Sequence, residues 1–204
     1  MKIGIFGGSF DPVHNGHVAL AEHFYEQLRL DKIIVIPALV APHKTQLRTA
    51  DAADRLNMCR LAFADERFEI SDIEILRGGK SYTVDTLSYL HEKYPDSELY
   101  LIIGADMLLY FDKWFRWRDI ADMAYICAAV RNDNPDEYEL LRKYSFSALA
   151  DIKERIILSG AKPFEVSSTG IREKIRSGES VEQLVPPEVA KYIKDGGLYA
   201  DDCP

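Results

Sequence analysis

The chain has 204 residues, of which 47% are hydrophobic and 28% are charged, and its formal net charge is −8. These proportions are typical of a globular protein with one large core, and the acidic balance excludes a general nucleic-acid binder, which normally has a basic face. The longest apolar stretch, residues 33–42, contains a proline and is too short to span a bilayer. No signal peptide is visible. We therefore expect residues 1–204 to form one domain of a soluble, cytoplasmic protein, with no nucleic acid and no membrane as partners.

Three cysteines, Cys59, Cys127 and Cys203, lie far apart in the chain and form no C-x-x-C pair. An odd number of cysteines without that spacing favours free thiols over a disulfide framework. Free thiols are typical of a reducing cytosol, which agrees with the location expected from the composition.

Apolar spacing divides the first half of the chain into alternating strands and helices. Unbroken apolar runs rich in β-branched residues predict strands buried on both faces, as parallel strands are. Apolar residues recurring every three or four positions predict helices, with polar caps at their starts. The predicted strands are 2–6, 32–37, 68–75 and 99–103; the predicted helices are 16–29, 83–93 and one beginning at residue 51; a loop passes through 41–44 and a polar turn through 77–81.

The second half continues this alternation. The predicted elements are a short helix ending near residue 111, an aromatic-rich turn at 113–117, strands at 124–130, 154–158 and 164–166, and helices at 135–150, 169–177 and 187–195. Strands that alternate with helices predict an α/β fold with a single doubly wound parallel sheet. In such a sheet, ligands bind at the carboxyl ends of the strands.

Residues 3–17, I-G-I-F-G-G-S-F-D-P-V-H-N-G-H, have the order of strand, glycine-rich turn and helix start. A glycine-rich turn leaves backbone N–H groups accessible, and it leads into the positive end of a helix dipole. Both features favour an anion, above all a phosphate. Because His14 and His17 lie at this turn, we interpret it as a nucleotide site.

Each polar residue near such a site also has a simpler interpretation. His14 and His17 could be a metal pair, although a zinc site needs three or four ligands, or His14 could only cap the helix. Lys44 could be an ordinary solvated loop lysine. Ser167, Ser168 and Thr169 could only cap a helix, although Arg172 one turn later could grip phosphates bidentately.

Three sequence blocks in one order resemble a known family. They are G-G-S-F-D-P-V-H-N-G-H at 7–17, R-G-G-K-S-Y-T-V-D-T-L at 77–87 and S-S-T-G-I-R at 167–172. Together they are similar to the nucleotidylyltransferase superfamily, in the form seen in bacterial nicotinate-mononucleotide adenylyltransferases, and the likeness spans residues 2 to about 192. The resemblance implies a Rossmann-like nucleotidylyltransferase fold. It also implies adenylyl transfer from ATP to nicotinate mononucleotide, which gives nicotinate adenine dinucleotide (deamido-NAD) and pyrophosphate in NAD biosynthesis.

The same resemblance assigns roles to individual residues. It implies a phosphate-stabilising catalytic set of His14, His17, Lys44 and Arg172. It implies ATP contacts from Gly7, Gly8, Ser9, Phe10, Gly16, Ile103, Gly104, Asp106, Ser167, Ser168 and Thr169. It implies nicotinate mononucleotide contacts from Ser9, Lys44, Tyr82, Thr83, Asp106, Trp114 and Phe115. Mg²⁺ is expected on the ATP phosphates, with no metal ligand from the protein.

Some positions depart from the family pattern or have a second interpretation. The family commonly has P-P-H-K where this chain has A-P-H-K at 41–44, and commonly tyrosine where this chain has Phe115. Trp114 would stack on the pyridine ring in the family, but a core indole is the ordinary alternative. Asp106 is a helix cap by pattern and a ribose ligand by resemblance, and Ser81 or Thr83 could cap the helix at 83–93.

Three different functions compete with adenylyl transfer to nicotinate mononucleotide. A nicotinamide-dependent oxidoreductase would need a third glycine in G-x-G-x-x-G spacing and an acidic residue after the second strand, and the sequence has neither. A different adenylyl- or cytidylyltransferase, such as one acting on phosphopantetheine, is the second competitor, and a non-catalytic nucleotide-binding protein on the same fold is the third. The sequence leaves open the choice between nicotinate and nicotinamide mononucleotide. It is compatible with a homo-oligomer but does not fix the oligomeric state.

Overall fold

Six parallel strands form one sheet in the order β3-β2-β1-β4-β5-β6. The computed structural model describes residues 1–40, 50–131, 135–161 and 166–200. The strands are β1 (Lys2–Gly8), β2 (Lys32–Pro37), β3 (Phe68–Ile70), β4 (Glu98–Gly104), β5 (Ala124–Arg131) and β6 (Ile156–Ala161). This strand order is that of a doubly wound, Rossmann-like sheet, in which the direction of progression reverses between β1 and β4. The predicted α/β fold is therefore confirmed.

Helices connect the strands and pack against both faces of the sheet. They are α1 (Asn15–Leu28), α2 (Ala52–Ala62), α3 (Ile73–Arg77), α4 (Thr83–Lys93), α5 (Ala105–Leu108), α6 (Trp117–Met123), α7 (Pro135–Ser147), α8 (Ser168–Arg176) and α9 (Pro187–Asp195), with 3-10 turns at Phe111–Lys113 and Ala150–Arg155. In the described part of the chain, none of them combines the length and the apolar character that a membrane crossing requires.

Side chains of each strand alternate between two apolar clusters, one on each face of the sheet. In β1, Ile3 and Ile5 pack in the first cluster with Leu87 of α4. The ring of Phe6 points to the second cluster, where it joins Phe24 of α1. Because both faces are covered, these strands need apolar residues at every position, which is why they appear as unbroken apolar runs.

The strand predicted at 68–75 is wrong in its second half. β3 ends at Ile70 and the chain turns into α3 at Ile73. β3 pairs only with β2, over three residues, and then Ser71 donates its N–H to the carbonyl of Val35 at 2.9 Å. A short apolar run fits a helix or a strand equally well, and the end of the ladder decides between them.

The remaining elements differ from prediction mainly at their ends. The turn predicted at 113–117 leads directly into α6, which was not predicted. The helix predicted at 135–150 ends at Ser147, and a 3-10 turn occupies the first part of the strand predicted at 154–158, which begins at Ile156 instead. The strand predicted at 164–166 lies almost entirely outside the described residues.

Two of the three cysteines are buried free thiols, as predicted. They are Cys59 of α2 and Cys127 of β5, and both lie in the second apolar cluster. Burial raises the pKa of the Cys127 thiol to about 12, so it remains protonated and behaves as a small apolar side chain. Cys203 lies outside the described residues.

Candidate nucleotide site

The loop that follows β1 is anchored in the core by Phe10. This residue is 1% exposed and has a positive φ of 47°. Its ring centroid lies 5.3 Å from that of Phe6 and 5.0 Å from that of His17. A Cβ at Gly8 would come within 2.9 Å of the Phe10 ring, so glycine is required there. The buried ring leaves only the backbone of Phe10 to contact a ligand at this position, where the sequence predicted an ATP contact.

His14 and His17 cap the start of α1 reciprocally. His14 Nδ1 accepts the backbone N–H of His17 at 3.3 Å, and His17 Nδ1 accepts the backbone N–H of His14 at 3.2 Å. The ring centroids are stacked 3.6 Å apart. Because each Nδ1 is an acceptor, the neutral imidazoles have their hydrogen on Nε2. The same two rings therefore cap the helix through Nδ1 and can donate a hydrogen bond through Nε2.

Burial sets the charge of His14. Its side chain is 8% exposed. Desolvation lowers its pKa from 6.5 to about 4, against a smaller opposing effect of a backbone hydrogen bond. His14 is therefore neutral at pH 7. It can therefore offer a phosphate a neutral N–H and not a positive charge.

Two glycines of this loop have different environments. A Cβ at Gly16 would lie 3.1 Å from Val166 Cγ1 and 3.2 Å from the His14 ring, so the protein itself explains this glycine. A Cβ at Gly7 would meet no described atom within 4 Å. Gly7 is thus not required by packing within the described chain, and the open space above its backbone is available to a ligand.

The start of α8 is joined to the loop after β1. Ser167 is the N-cap of α8, and its Oγ accepts the N–H of Gly170 at 3.1 Å. Ser168 donates its hydroxyl to the carbonyl of Pro12 at 2.9 Å. The first and third sequence blocks, predicted to share a site, therefore lie side by side. The Ser168 hydroxyl joins the two blocks, whereas the Ser167 hydroxyl caps α8.

Arg172 belongs to α8, and its side chain reaches the loop after β1. Its Nη1 donates to the carbonyl of Asp11 at 2.6 Å, and its Nη2 donates to Thr169 Oγ1 at 3.2 Å. The side chain is only 12% exposed, and its Nη1 lies 3.7 Å from Asp11 Oδ2. Within the described chain, these two hydrogen bonds use two of the five N–H groups that a guanidinium has. The others remain for an anion.

The carboxyl end of β4 lies beside that of β1, at the point where the strand order reverses. Ile103 is buried in the first cluster, and β4 ends at Gly104. Asp106 lies in the first turn of α5 and is exposed, but Gly104 occupies the N-cap position and receives no side-chain hydrogen bond. The prediction that Asp106 caps this helix is therefore wrong. Its exposed carboxylate is available to a ligand.

The second sequence block lies at the start of α4. Tyr82 is the N-cap and Thr83 the first helical residue, and no side chain caps this end. Ser81 instead accepts the N–H of Leu39 at 3.0 Å, which corrects the predicted cap and ties α4 to the end of β2. The ring centroid of Tyr82 lies 4.8 Å from that of Phe115, which is 55% exposed.

Trp114 has features of both interpretations that the sequence left open. Its ring packs 5.4 Å from that of Phe111, against the first cluster. Its indole Nε1 is buried and finds no hydrogen-bond partner among the described residues. A buried indole N–H without a partner costs free energy. Among the described residues, the ring is therefore held by its packing and not by a hydrogen bond.

The structure does not test two predictions about this site, the role of Lys44 and the absence of a metal ligand from the protein. Lys44 lies outside the described residues, as does the rest of the segment 41–49. Among the residues that are described, no group of three or more His, Cys, Asp or Glu side chains could hold a metal ion.

Sequence reasoning missed three residues that organise the site. Arg55 of α2 is 6% exposed and donates to the carbonyls of Ser9, Ala38, Leu39 and Ala50 at 2.6–3.3 Å. The carboxylate of Asp11 accepts the hydroxyl of Tyr199 at 2.8 Å. The sequence contained a signal that Arg55 is buried, because it lies one helical turn before Cys59, on the side of α2 that carries its buried residues. The sequence contains no comparable signal for the pairing of Asp11 with Tyr199.

The Rossmann-like sheet, with a histidine pair at the first helix and an arginine from α8 beside it, defines a nucleotidyltransferase. The model of the family described as cytidylyltransferase-like matches residues 5–174. The chain is 38% identical to the nicotinate-nucleotide adenylyltransferase of Bacillus subtilis (strain 168), over 97% of this chain and 98% of the relative. It is 41% identical to a Synechococcus sp. (strain JA-3-3Ab) protein named "Probable nicotinate-nucleotide adenylyltransferase", over 98% and 95%. The chain belongs to the nicotinate-nucleotide adenylyltransferase family.

Solved structures agree on the fold. The nicotinic acid mononucleotide adenylyltransferase of Plasmodium falciparum complexed with NaAD superposes with a TM-score of 0.78, at 18% identity and over 97% of each chain. The same enzyme complexed with APC gives a TM-score of 0.75 at 17% identity, over 97% of this chain and 96% of that chain. At these identities the likeness establishes the nucleotidylyltransferase fold.

Proposed function

We propose that this protein transfers the adenylyl group of ATP to nicotinate mononucleotide, giving nicotinate adenine dinucleotide and pyrophosphate. The observation that supports it most is that the His14–His17 pair and the Arg172 side chain lie at the same loop, the one that follows β1. Family membership supplies the substrates: relatives at about 40% identity over nearly the full chain have this activity in their names.

The reaction needs positioning and charge stabilisation rather than a strong base. A phosphate oxygen of nicotinate mononucleotide attacks the α-phosphorus of ATP. The new P–O bond forms as the bond to the bridging oxygen breaks, and that oxygen leaves with the electron pair on pyrophosphate. A phosphate monoester has a second pKa of about 6 and is largely dianionic at pH 7, so it needs no deprotonation. Holding the two substrates in line contributes about 7–11 kcal/mol in well-oriented systems.

Each part of the site has a role in this proposal. The Nε2–H groups of His14 and His17 donate to the ATP phosphates, and Arg172 binds the β- and γ-phosphates with the N–H groups that Asp11 and Thr169 do not use. The open backbone at Gly7 lets the nucleotide approach closely. These donors stabilise the charge that develops on pyrophosphate.

The other half of the site would bind the acceptor. Thr83 at the start of α4 presents backbone N–H groups that suit the nicotinate carboxylate. Trp114 and Phe115 form the aromatic wall for the pyridine ring, and Asp106 is placed to accept from a ribose hydroxyl. Lys44 keeps the phosphate-binding role that the family resemblance gives it.

Mg²⁺ is expected to enter with ATP. The donors near the loop after β1 are N–H groups, which suit phosphate oxygens and not a metal ion. When bound, Mg²⁺ neutralises part of the negative charge of the triphosphate. The residues of this chain then orient the phosphates around it.

Pyrophosphate release from ATP and Mg²⁺ tests the proposal directly, with nicotinate and nicotinamide mononucleotide compared side by side. Release with the nicotinate form supports both the reaction and the substrate, and equal rates with both would make the enzyme dual-specific. Release with neither overturns the proposal, and phosphopantetheine is then the next substrate to assay.

The His17→Ala variant tests the phosphate role of the histidine pair. Turnover is expected to fall roughly 100- to 1,000-fold, as when one donor of an anion site is removed. His17→Gln is the matched variant, because glutamine at this third helical position can still accept the N–H of His14 and keep the cap. Near-normal turnover in both variants would contradict the assignment.

We further propose that residues 1–204 act as one domain in the cytoplasm. One sheet includes every strand of the described chain. The loop after β1 and the start of α8, which are far apart in the sequence, meet at one site. Gel filtration with light scattering distinguishes a monomer from a homo-oligomer.

A further inference from the structure

The carboxylate of Asp11 joins four segments of the chain. Asp11 is 3% exposed, in the loop after β1. Its Oδ1 accepts the backbone N–H of Ala50 at 3.0 Å and the hydroxyl of Tyr199 at 2.8 Å. Its Oδ2 lies 3.7 Å from Nη1 of Arg172. A buried carboxylate is stable only when its oxygens are satisfied in this way.

Tyr199 reaches this carboxylate from beyond α9. The chain turns back at Tyr199 with a positive φ of 64°, and its ring packs against the second apolar cluster. Burial and the neighbouring charge of Asp11 raise the pKa of the Tyr199 hydroxyl, so it stays protonated and acts as the donor. Tyr199 itself is partly buried beside this cluster, and its hydroxyl bonds Asp11.

The arrangement around Asp11 determines how Arg172 is held. Because two donors occupy Oδ1, the carboxylate faces Arg172 only through Oδ2, at a distance longer than a hydrogen bond. The guanidinium instead bonds the Asp11 carbonyl. Without the Tyr199 hydroxyl, Oδ1 would lose one of its partners. The carboxylate could then turn toward Arg172 and pair with it bidentately, which is the strongest geometry for these groups.

We propose that Tyr199 is a positioning residue for adenylyl transfer, which holds Asp11 by its hydroxyl and thereby keeps the Arg172 guanidinium available to the phosphates of ATP. This inference rests on the proposed function. It adds to the site a residue that lies outside the three sequence blocks.

Steady-state pyrophosphate release by the Tyr199→Phe variant tests the inference. The value of kcat/KM for ATP is expected to fall about tenfold, because a hydrogen bond to a charged group contributes an amount of this order. Since Arg172 contacts only ATP in this proposal, the KM for nicotinate mononucleotide is expected to stay at its wild-type value. A wild-type kcat/KM for ATP in Tyr199→Phe overturns the inference.

Tyr192→Phe is a matched control. Tyr192 packs against the same cluster and also donates its hydroxyl to an aspartate, Asp54, at 2.8 Å, but it lies on α9 away from the loop after β1. The control should keep wild-type kinetics. If Tyr192→Phe loses as much activity as Tyr199→Phe, the effect is general destabilisation and the inference is wrong.

A double mutant separates a role through Arg172 from a purely structural one. In an Arg172→Lys background, Tyr199→Phe should cost less than about twofold further, since the effects of two residues that share a partner, here Asp11, are not additive. A full additional loss in that background would show that Tyr199 acts independently of Arg172 and would overturn the inference.

If wild-type protein releases no pyrophosphate, the proposed function fails instead. The affinity for ATP, measured by calorimetry on the same variants, then still decides the role of Tyr199.

Discussion

The buried imidazole of His14 should make the stability of the fold depend on pH. Its pKa is 6.5 in an unfolded chain and about 4 in the folded protein. Between these values the unfolded chain binds a proton that the folded protein does not bind. The free energy of unfolding therefore decreases as the pH falls through this range, and the loss approaches about 3 kcal/mol below pH 4. Above pH 6.5 the effect vanishes.

The His14→Asn variant isolates this contribution. Asparagine can still accept the N–H of His17 as an N-cap, but it does not titrate. Urea unfolding of both proteins from pH 4 to pH 8 should show a loss on acidification that is smaller in the variant, by about 3 kcal/mol. His91→Asn, at an exposed position on α4, should keep the wild-type dependence. Identical pH dependence in His14→Asn and wild type would refute the claim that burial keeps His14 neutral.

Three further substitutions test the architecture of the site. Gly7→Ala should keep the wild-type Tm, since a Cβ there meets no described atom within 4 Å, and should raise the KM for ATP severalfold; an unchanged KM would refute close approach of the nucleotide. Gly16→Ala should lower the Tm, because its Cβ would lie 3.1 Å from Val166 and 3.2 Å from His14, and an unchanged Tm would contradict this. Arg55→Lys should lower the free energy of unfolding by about 2–4 kcal/mol in urea titrations, because an ammonium cannot reach all four carbonyls. A loss under about 1 kcal/mol would show that these carbonyls find other donors.

The sequence predicted the sheet well because the parallel strands are buried on both faces. Apolar residues, many of them β-branched, occupy such positions, and runs like 32–37 therefore have few alternatives. Prediction failed at the edge of the sheet, where β3 has one neighbour among the described strands and Ile73 and Ile75 could belong to either a strand or a helix. At 77% exposure, Leu76 faces solvent despite its apolar side chain. Local pattern does not reveal where a partner strand stops.

The site divides in the same way. His14, His17 and the Ser167–Arg172 block were identifiable because each combines a helix start with donors within one helical turn. The partners of Asp11 could not be found this way, since its pairing with Tyr199 spans 188 positions and depends on how α9 packs. The neutral state of His14 is also a property of the folded protein, because it arises from burial that the composition of the loop does not indicate.

The pairing of the two ends of the chain also affects how the protein is made. Strand β1 and its loop leave the ribosome before Ser168 and Tyr199, which hold that loop and are 156 and 188 residues away from their partners. Closing such long intervals costs entropy and slows folding. The nucleotide loop can therefore reach its final shape only after the chain has been synthesised as far as Tyr199. Until then, a nascent chain has its first strands but cannot yet hold Arg172 in place, so nucleotide binding cannot assist the early steps of folding.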